Sequence, residues 1–290
     1  MSVTPPSKAE GPLALICGGG SLPLAVADSV AARGRKVLLF PLHGFAEPAD
    51  FAGREHHWVH LGQFGTVARI ARANECRDIV CFGSVVRPSF WQLRPDFFTL
   101  KLLPQVAKAF RGGDDHLLSS VGRIIEQNGF RLLGAHEVAP EILVPQGTLG
   151  RVQPSERNRA DIAVGLDYLR AAGPFDVGQA VVVADKRVLA IEAAEGTDQM
   201  LTRVAQLREI GRIITPKGAG VLVKAPKPNQ DRRFDLPSIG PRTVESVTFA
   251  SLAGIAVASG ETVIAEPEAL VAAADRADIF VVGVPAEAKR

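Results

Sequence analysis

Between Lys224 and Gly240 the chain gathers two lysines, two arginines and two aspartates around three prolines, in the order Lys-Ala-Pro-Lys-Pro-Asn-Gln-Asp-Arg-Arg-Phe-Asp-Leu-Pro-Ser-Ile-Gly. Pro226, Pro228 and Pro237 fix their own φ angles and restrict the residues before them. A loop stiffened in this way can hold charge without help from a helix. Asp231 and Asp235 are oxygen donors of the kind that a hard cation, magnesium (or manganese), takes while keeping several waters. Lys224, Lys227 and Arg233 can neutralise phosphate oxygens. Metal-assisted chemistry on a phosphate is therefore one reading. The other is a solvated loop whose prolines merely end a strand, because surface ion pairs are common and weak.

A second acidic group stands upstream, where Glu192, Glu195 and Asp198 bracket Ala193-Ala194 and Gly196-Thr197 at a strand-to-helix junction. Such carboxylates can hold magnesium or activate water, so Glu195 and Asp198 join Asp231 as candidate metal ligands. Thr197 can instead cap the following helix, with the acids only favouring its N-terminus. Near the start of the chain, Gly18-Gly19-Gly20-Ser21 follows the apolar run Leu13–Cys17 and precedes a helical pattern. Glycines let backbone approach a phosphate, and a helix N-terminus points N–H groups at it. The dinucleotide fingerprint is not met: its third glycine falls at Pro23, and the second apolar run closes on Phe40-Pro41-Leu42-His43 with no acid for a ribose. A mononucleotide or sugar-nucleotide diphosphate suits this turn better than NAD; tight strand-to-helix packing alone also accounts for it. Gly83 lies at the carboxyl end of another strand, where open α/β sheets bind ligands.

The segment Arg87–Arg111 interleaves Arg87, Arg94, Lys101, Lys108 and Arg111 with Phe90, Trp91, Phe97, Phe98 and Phe110, in a chain only 6% aromatic. That mixture suits an anionic membrane surface or an acyl-chain pocket, or a helical pair using its rings as core. Stacking on single-stranded nucleic acid would use the same residue types, but a net charge of +2 gives no general argument for nucleic acid. We expect none as a partner.

The elements that must position these groups read as α/β. Strand, glycine turn, helix and strand over Leu13–Cys17, Leu22–Ala32 and Lys36–Pro41 open a doubly wound, Rossmann-like N-terminal domain over 12–139. Trp58–Leu61 is a candidate third strand, Asp78–Phe82 a fourth and Phe130–His136 a further one. Residues 140–154, rich in Gly and Pro, read as a linker. A mixed α/β C-terminal domain follows over 155–285. In it Gln179–Ala184 and Val188–Ala193 form a hairpin through Asp185-Lys186. Helices are expected near Asn158–Ala171, Gln199–Glu209, Thr243–Gly254 and Pro267–Ala277, a hairpin over Ile255–Ile264 and a closing strand at Ile279–Val284. The 290 residues, 47% hydrophobic and 22% charged, suit a globular chain of one or two domains. Three cysteines without metal-ligand spacing fit a reducing cytoplasm, with Cys17 and Cys81 as inert buried thiols. The chain shows no signal-peptide pattern and no bilayer-length apolar run. The Asp-x-His and Gly-Asn-His-Asp patterns of calcineurin-like phosphoesterases and the P-loop lysine motif are absent from the sequence.

Several of these stretches together resemble the LpxI type of UDP-2,3-diacylglucosamine pyrophosphatase of lipid A biosynthesis. They are Val221-Leu222-Val223-Lys224, Lys227-Pro228, Gln230-Asp231, Arg233-Phe234-Asp235-Leu236-Pro237 and Ile239-Gly240, with Ala190-Ile191-Glu192-Ala193, Glu195-Gly196-Thr197-Asp198 and Gly18-Gly19-Gly20-Ser21-Leu22-Pro23. The resemblance spans nearly the whole chain after the first dozen residues. It implies hydrolysis of UDP-2,3-diacylglucosamine to UMP and 2,3-diacylglucosamine 1-phosphate (lipid X), with magnesium, water attacking the α-phosphorus and the lipid held between two domains. It implies Asp231, Asp235, Lys224, Lys227 and Arg233 as catalytic residues. It implies Gly18, Gly19, Gly20, Ser21, Gly83, Asp114, Glu192, Gly196, Thr197 and Gln230 as substrate-binding residues. A cytoplasmic enzyme peripheral to the inner membrane, with room for a homodimer, is the corresponding expectation. A sugar-nucleotide or lipid-binding module without catalysis is the alternative.

Overall fold

The structure, a computed structural model, describes residues 11–85, 94–102, 114–175, 177–227 and 231–285, without the side chains of 114–117. Much of the aromatic–basic segment (Arg87, Phe90, Trp91, Lys108, Phe110, Arg111) and Gln230 lie outside the described residues. The chain divides into two compact units. One runs up to Pro140 and also takes in Asp231–Asp235; the other runs from Glu141 onward without those residues.

In the first unit β1 (Leu13–Cys17), β2 (Val37–Pro41), β3 (Asp78–Phe82) and β4 (Arg131–Leu133) form a parallel sheet in the order β2-β1-β3-β4. The strands are short apolar runs, as a sheet covered on both faces requires. Helices α1 (Leu22–Ala32), α2 (Phe64–Ala73), α3 (Asp114–Gln127) and the short α4 (Ala135–Val138) accompany them. Two expectations are corrected. Trp58–Leu61 is not a full strand: it meets the sheet through a single bridge, Leu42 to Val59, with another, Leu39 to His56, just ahead of it. Rings occupy the place of a ladder, with His43 stacked on Trp58 at 4.9 Å and on His60 at 4.3 Å. Phe130–His136 shortens to β4, because the Glu137 carboxylate takes the Gly134 N–H at 2.7 Å and turns the chain into α4.

At the amino end of this sheet the buried Asp78 accepts from Arg35 Nη2 at 2.5 Å and from Arg131 Nε at 2.7 Å. Burial alone would raise the Asp78 carboxyl, but the hydrogen bonds from Arg131 and Arg35 outweigh it and hold the group below its usual range. Cys17 and Cys81 sit in the strands, where burial pushes both thiols up to about 12. They are inert as nucleophiles at neutral pH.

The second unit contains β5 (Gly147–Leu149), β6 (Ala180–Ala184), β7 (Arg187–Ile191), β8 (Val221–Lys224), β9 (Ser238–Ile239), β10 (Gly254–Ala258), β11 (Val263–Ile264) and β12 (Phe280–Val284). Six strands make a mixed sheet in the order β5-β12-β10-β8-β6-β7, parallel across β12, β10 and β8 and antiparallel elsewhere. β5 lies within the stretch that reads as a linker, and here it is an edge strand of this sheet. Helix α5 (Glu156–Ala172) covers one face through Ile162, Leu166 and Leu169. Helices α6 (Gly196–Glu209), α7 (Pro241–Phe249) and α8 (Pro267–Arg276) cover the other through Met200, Val204, Val247 and Leu270.

The Asp185-Lys186 hairpin is present, with both residues at positive φ (53° and 59°). The hairpin expected over Ile255–Ile264 is not. β10 is buried at every residue and sits between parallel neighbours, whereas β11 pairs in parallel with β9 in a separate small sheet. A run with no polar face has no solvated side to turn toward a hairpin partner. The helix expected over Thr243–Gly254 stops at Phe249, where Ser251 (φ 54°) turns the chain into β10.

Candidate active site

The strand period of two aims the key side chains of the second unit. Leu222 and Ala190 belong to the core beneath α6–α8, so Lys224 and Glu192, two residues further along, point to that same face. Lys224 ends β8, flanked by Val257 of β10 and Ala180 of β6. It is only 6% exposed and Glu192 8%. The Lys224 ammonium donates to Thr197 Oγ1 at 3.1 Å and to the Ser238 carbonyl at 3.0 Å. The Thr197 hydroxyl donates to Glu192 Oε1 at 2.7 Å, and Glu192 Oε2 accepts the Gln179 N–H at 2.8 Å. The carboxyl end of β8 thus gathers a buried cation, a hydroxyl and a buried anion in one hydrogen-bonded chain. Buried charges persist only when compensated in this way.

Thr197 does not cap α6. The cap position is Glu195, without a side-chain cap bond, and the threonine hydroxyl is spent on Glu192. Gly196 supplies the positive φ, 78°, of the turn into the helix. Glu195 Oε1 accepts from Arg203 Nη2 at 2.7 Å. Asp198 Oδ2 pairs with Arg242 Nη2 at 2.9 Å, and its Oδ1 accepts the Ser246 hydroxyl at 3.4 Å.

Asp231–Asp235 belongs to the first unit. Phe234 packs against that unit's core, over Gly122 of α3. Arg233 donates to Asp231 through Nε at 2.9 Å and Nη2 at 2.8 Å, its own N–H reaches Asp231 Oδ1 at 3.1 Å, and Nη1 reaches Glu126 Oε1 at 2.6 Å. The Arg233 guanidinium holds the Asp231 carboxyl below its usual range, against the opposing effect of burial. Arg233 is correspondingly pushed up by Asp231. This arginine, expected to face phosphate, donates to two carboxylates.

At the glycine turn, the Gly18 N–H goes to the Phe82 carbonyl and the Gly19 N–H to the Ser84 carbonyl, each at 2.8 Å. A Cβ on Gly18 would lie 2.7 Å from the Gly83 carbonyl carbon, and one on Gly83 2.7 Å from Pro23 Cγ. Close approach of β1 to β3 accounts for Gly18 and Gly83, and Pro23 fits as part of that packing. Gly20, at φ 89° with open space around it, and Ser21 carry the chain into α1.

Asp114 opens α3, its side chain being outside the description. Lys227 and Asp235 are half-buried. The donor chemistry fits a cation held by one or two carboxylates and a substrate's own phosphates, the common magnesium arrangement. It does not fit a cage of protein ligands, since among the described residues no group of three or more His, Cys, Asp or Glu stands together to hold an ion. Sequence reasoning did not find Gln179, the Ser238 carbonyl or Glu126. Backbone acceptors leave no trace in residue type, and Glu126 lies 107 residues from Arg233. Gly178, just ahead of an apolar strand, was the one visible signal: a Cβ there would lie 2.5 Å from Glu192 Cγ.

Residues 12–142 match a family model described as the LpxI N-terminal domain, and residues 145–282 one described as the LpxI C-terminal domain. A Caulobacter vibrioides protein called UDP-2,3-diacylglucosamine pyrophosphatase LpxI is 45% identical over 275 residues, 94% of this chain and 97% of that one. Among solved structures, a short-chain dehydrogenase/reductase superfamily protein from Agrobacterium tumefaciens with bound NAD matches at 12% identity and a TM-score of 0.26, over 94% of this chain and 85% of that one. A likeness that low carries no argument.

Proposed function

The chain belongs to the LpxI family, and on that premise we propose that it hydrolyses UDP-2,3-diacylglucosamine to UMP and 2,3-diacylglucosamine 1-phosphate. Water adds to the α-phosphorus, the bond from that phosphorus to the bridging oxygen breaks, and the bridging oxygen leaves with the sugar phosphate. The observation that carries this reading is the gathering of the family-like residues Glu192, Thr197 and Lys224 around one buried ammonium at the carboxyl end of a parallel strand. Ligands of open α/β sheets bind at such ends. A preorganised cation is the usual means of stabilising charge on a transferring phosphoryl group.

Asp231, kept ionised by Arg233, suits a role that needs a carboxylate: orienting the attacking water or meeting a cation through Oδ2, which takes a single bond from Arg233. Magnesium (or manganese) is the cofactor we assign, with Asp231 in the first unit, or Asp198 and Glu195 in the second, as candidate ligands; it would neutralise developing charge on the diphosphate. Gly20 and Ser21, at the entry to α1, are assigned to the nucleotide phosphates. We read the first unit as Rossmann-like, on the strength of a parallel order in which β1 lies between β2 and β3.

No helix among the described residues is long and apolar enough to cross a membrane. Phe97 and Leu100 are exposed, and Lys101 lies 5.0 Å from the centre of the Phe97 ring. These residues support our assignment of a cytoplasmic enzyme that touches an anionic membrane surface through this segment. The reaction is tested by incubating the protein with the diacylated UDP-sugar and magnesium in heavy-oxygen water. Label is expected in UMP. Label in the sugar phosphate would move the attack to the β-phosphorus, and absence of both products would refute the activity.

A further inference from the structure

We propose that Glu192 and Thr197 do not bind substrate but are positioning residues for Lys224: the Glu192 carboxylate fixes the Thr197 hydroxyl, and that hydroxyl fixes the ammonium. The proposal rests on the reading of Lys224 as the cation that meets the diphosphate. Three observations carry it.

The first is direction. A hydroxyl has one proton to give. Thr197 gives it to Glu192 Oε1 at 2.7 Å, so its lone pairs are left to accept from Lys224 Nζ at 3.1 Å. Reversed, the hydroxyl would confront an ammonium, which has no acceptor. Glu192 therefore decides which way Thr197 faces.

The second is occupancy. Both oxygens of Glu192 are engaged inside the protein, one by Thr197 and one by the Gln179 N–H at 2.8 Å, and the residue is 8% exposed. A carboxylate so placed is also poorly suited to touching a diphosphate, which it would repel.

The third is the room made for it. A Cβ on Gly178 would lie 2.5 Å from Glu192 Cγ and 2.7 Å from its Cβ, so the absence of a side chain at 178 is a condition of Glu192 standing where it does. Gly178 is not in the left-handed region. The φ of Gly178 admits an alanine, but its Cβ would also lie 2.7 Å from the Glu192 carbonyl oxygen, so Glu192 would be displaced in backbone as well as side chain.

The charge arithmetic follows. Besides Glu192, the charged groups at the start of α6 and on α7 are Glu195, Asp198, Arg242 and the exposed Glu245. Glu195 is paired with Arg203, and Asp198 with Arg242. Glu192 stands one hydroxyl away from Lys224. Its carboxylate is an anion linked through that hydroxyl to the buried ammonium. An opposite charge nearby favours the charged form of a lysine by about 1–3 pH units. Neutralising Glu192 lets Lys224 lose its proton at lower pH.

The test has two readouts on the full-length protein. Lysine side chains labelled with carbon-13 at Cε are titrated by NMR, with Lys224→Met identifying the Lys224 signal. UMP release is measured across pH with magnesium present. In Glu192→Gln and Thr197→Val the Lys224 signal is expected to titrate about one unit or more below wild type. The alkaline limb of activity should move down with it, and kcat should fall about 100-fold through misplacement of the cation with a smaller change in KM. Thr197→Ser, which keeps the hydroxyl, should restore both readouts. Gly178→Ala, which displaces Glu192 without neutralising it, should also lower the titration of Lys224.

Unchanged titration of Lys224 in Glu192→Gln and Thr197→Val would overturn the proposal, as would a Thr197→Ser variant no better than Thr197→Val. If wild type releases no UMP, the proposed activity fails, while the NMR titration still decides the positioning role.

Discussion

The pair formed by Asp231 and Arg233 has consequences at the scale of single residues. The backbone N–H and two guanidinium donors of one arginine converge on one carboxylate, and the guanidinium pair is a planar fork that lysine cannot copy. Arg233→Lys should let the Asp231 carboxyl return toward its ordinary value of 3.8. If Asp231 acts as an anion in the reaction, the acid limb of the pH profile moves upward in that variant, and a pH series of UMP release checks it. Asp231→Ala should lower kcat by about 100-fold or more; full activity would end the role assigned to it. Chemistry at this scale was partly readable in the chain. Residue type and spacing identified Lys224, Glu192, Thr197 and Asp231 as worth watching. They did not reveal partners. Thr197 can also be read as a helix cap, because threonine is a favoured cap residue. Its actual partner is fixed by β7, whose pleat brings Glu192 to the same face. The bond from Arg233 to Glu126 was not readable, because a partner 107 residues away has no local signature.

At the scale of elements, close approach explains the first strand-to-helix turn. Gly18→Ala would drive a Cβ into the backbone of Gly83 and Ser84, at 2.7 and 2.8 Å. Backbone cannot swing aside as a side chain can, so a loss of about 1–3 kcal/mol is expected in urea unfolding. At the opposite end of the same sheet, Asp78 ties the starts of β3 and β4 to Arg35. Asp78→Ala would remove the buried carboxylate that Arg35 and Arg131 share, at a cost of about 3–5 kcal/mol at pH 7. Because the folded carboxyl titrates below its unfolded value, its contribution is complete above the ordinary carboxylate range. It is lost as pH falls through the folded pKa, so the mutant and wild type should converge in strong acid. Thermal unfolding at a series of pH values checks both parts. The parallel strands of the first unit were readable because short apolar runs alternate there with helical spacing. The Ile255–Ile264 stretch was misread for a physical reason. Two apolar runs around a glycine look alike whether they pair with each other or with strands elsewhere, and only the rest of the sheet decides.

At the scale of the whole molecule, the order of the chain and the order of the units differ. Asp231–Asp235 comes from the second half of the sequence yet belongs to the unit built by the first half, held by Phe234 against its core and by Arg233 on Glu126. Phe234→Ala should therefore destabilise the first unit, by about 3–5 kcal/mol if the site cannot collapse. Hydrogen exchange should report the loss in β1, β3 and β4. Nothing local in Arg-Phe-Asp announces this membership. It follows that no single break in the polypeptide yields two self-sufficient fragments. A piece ending near residue 140 lacks the aromatic plug over Gly122, and the remaining piece carries that plug with nothing to seat it. Co-expressed halves should recover solubility and structure only in each other's presence, a dependence that ordinary tandem modules do not share.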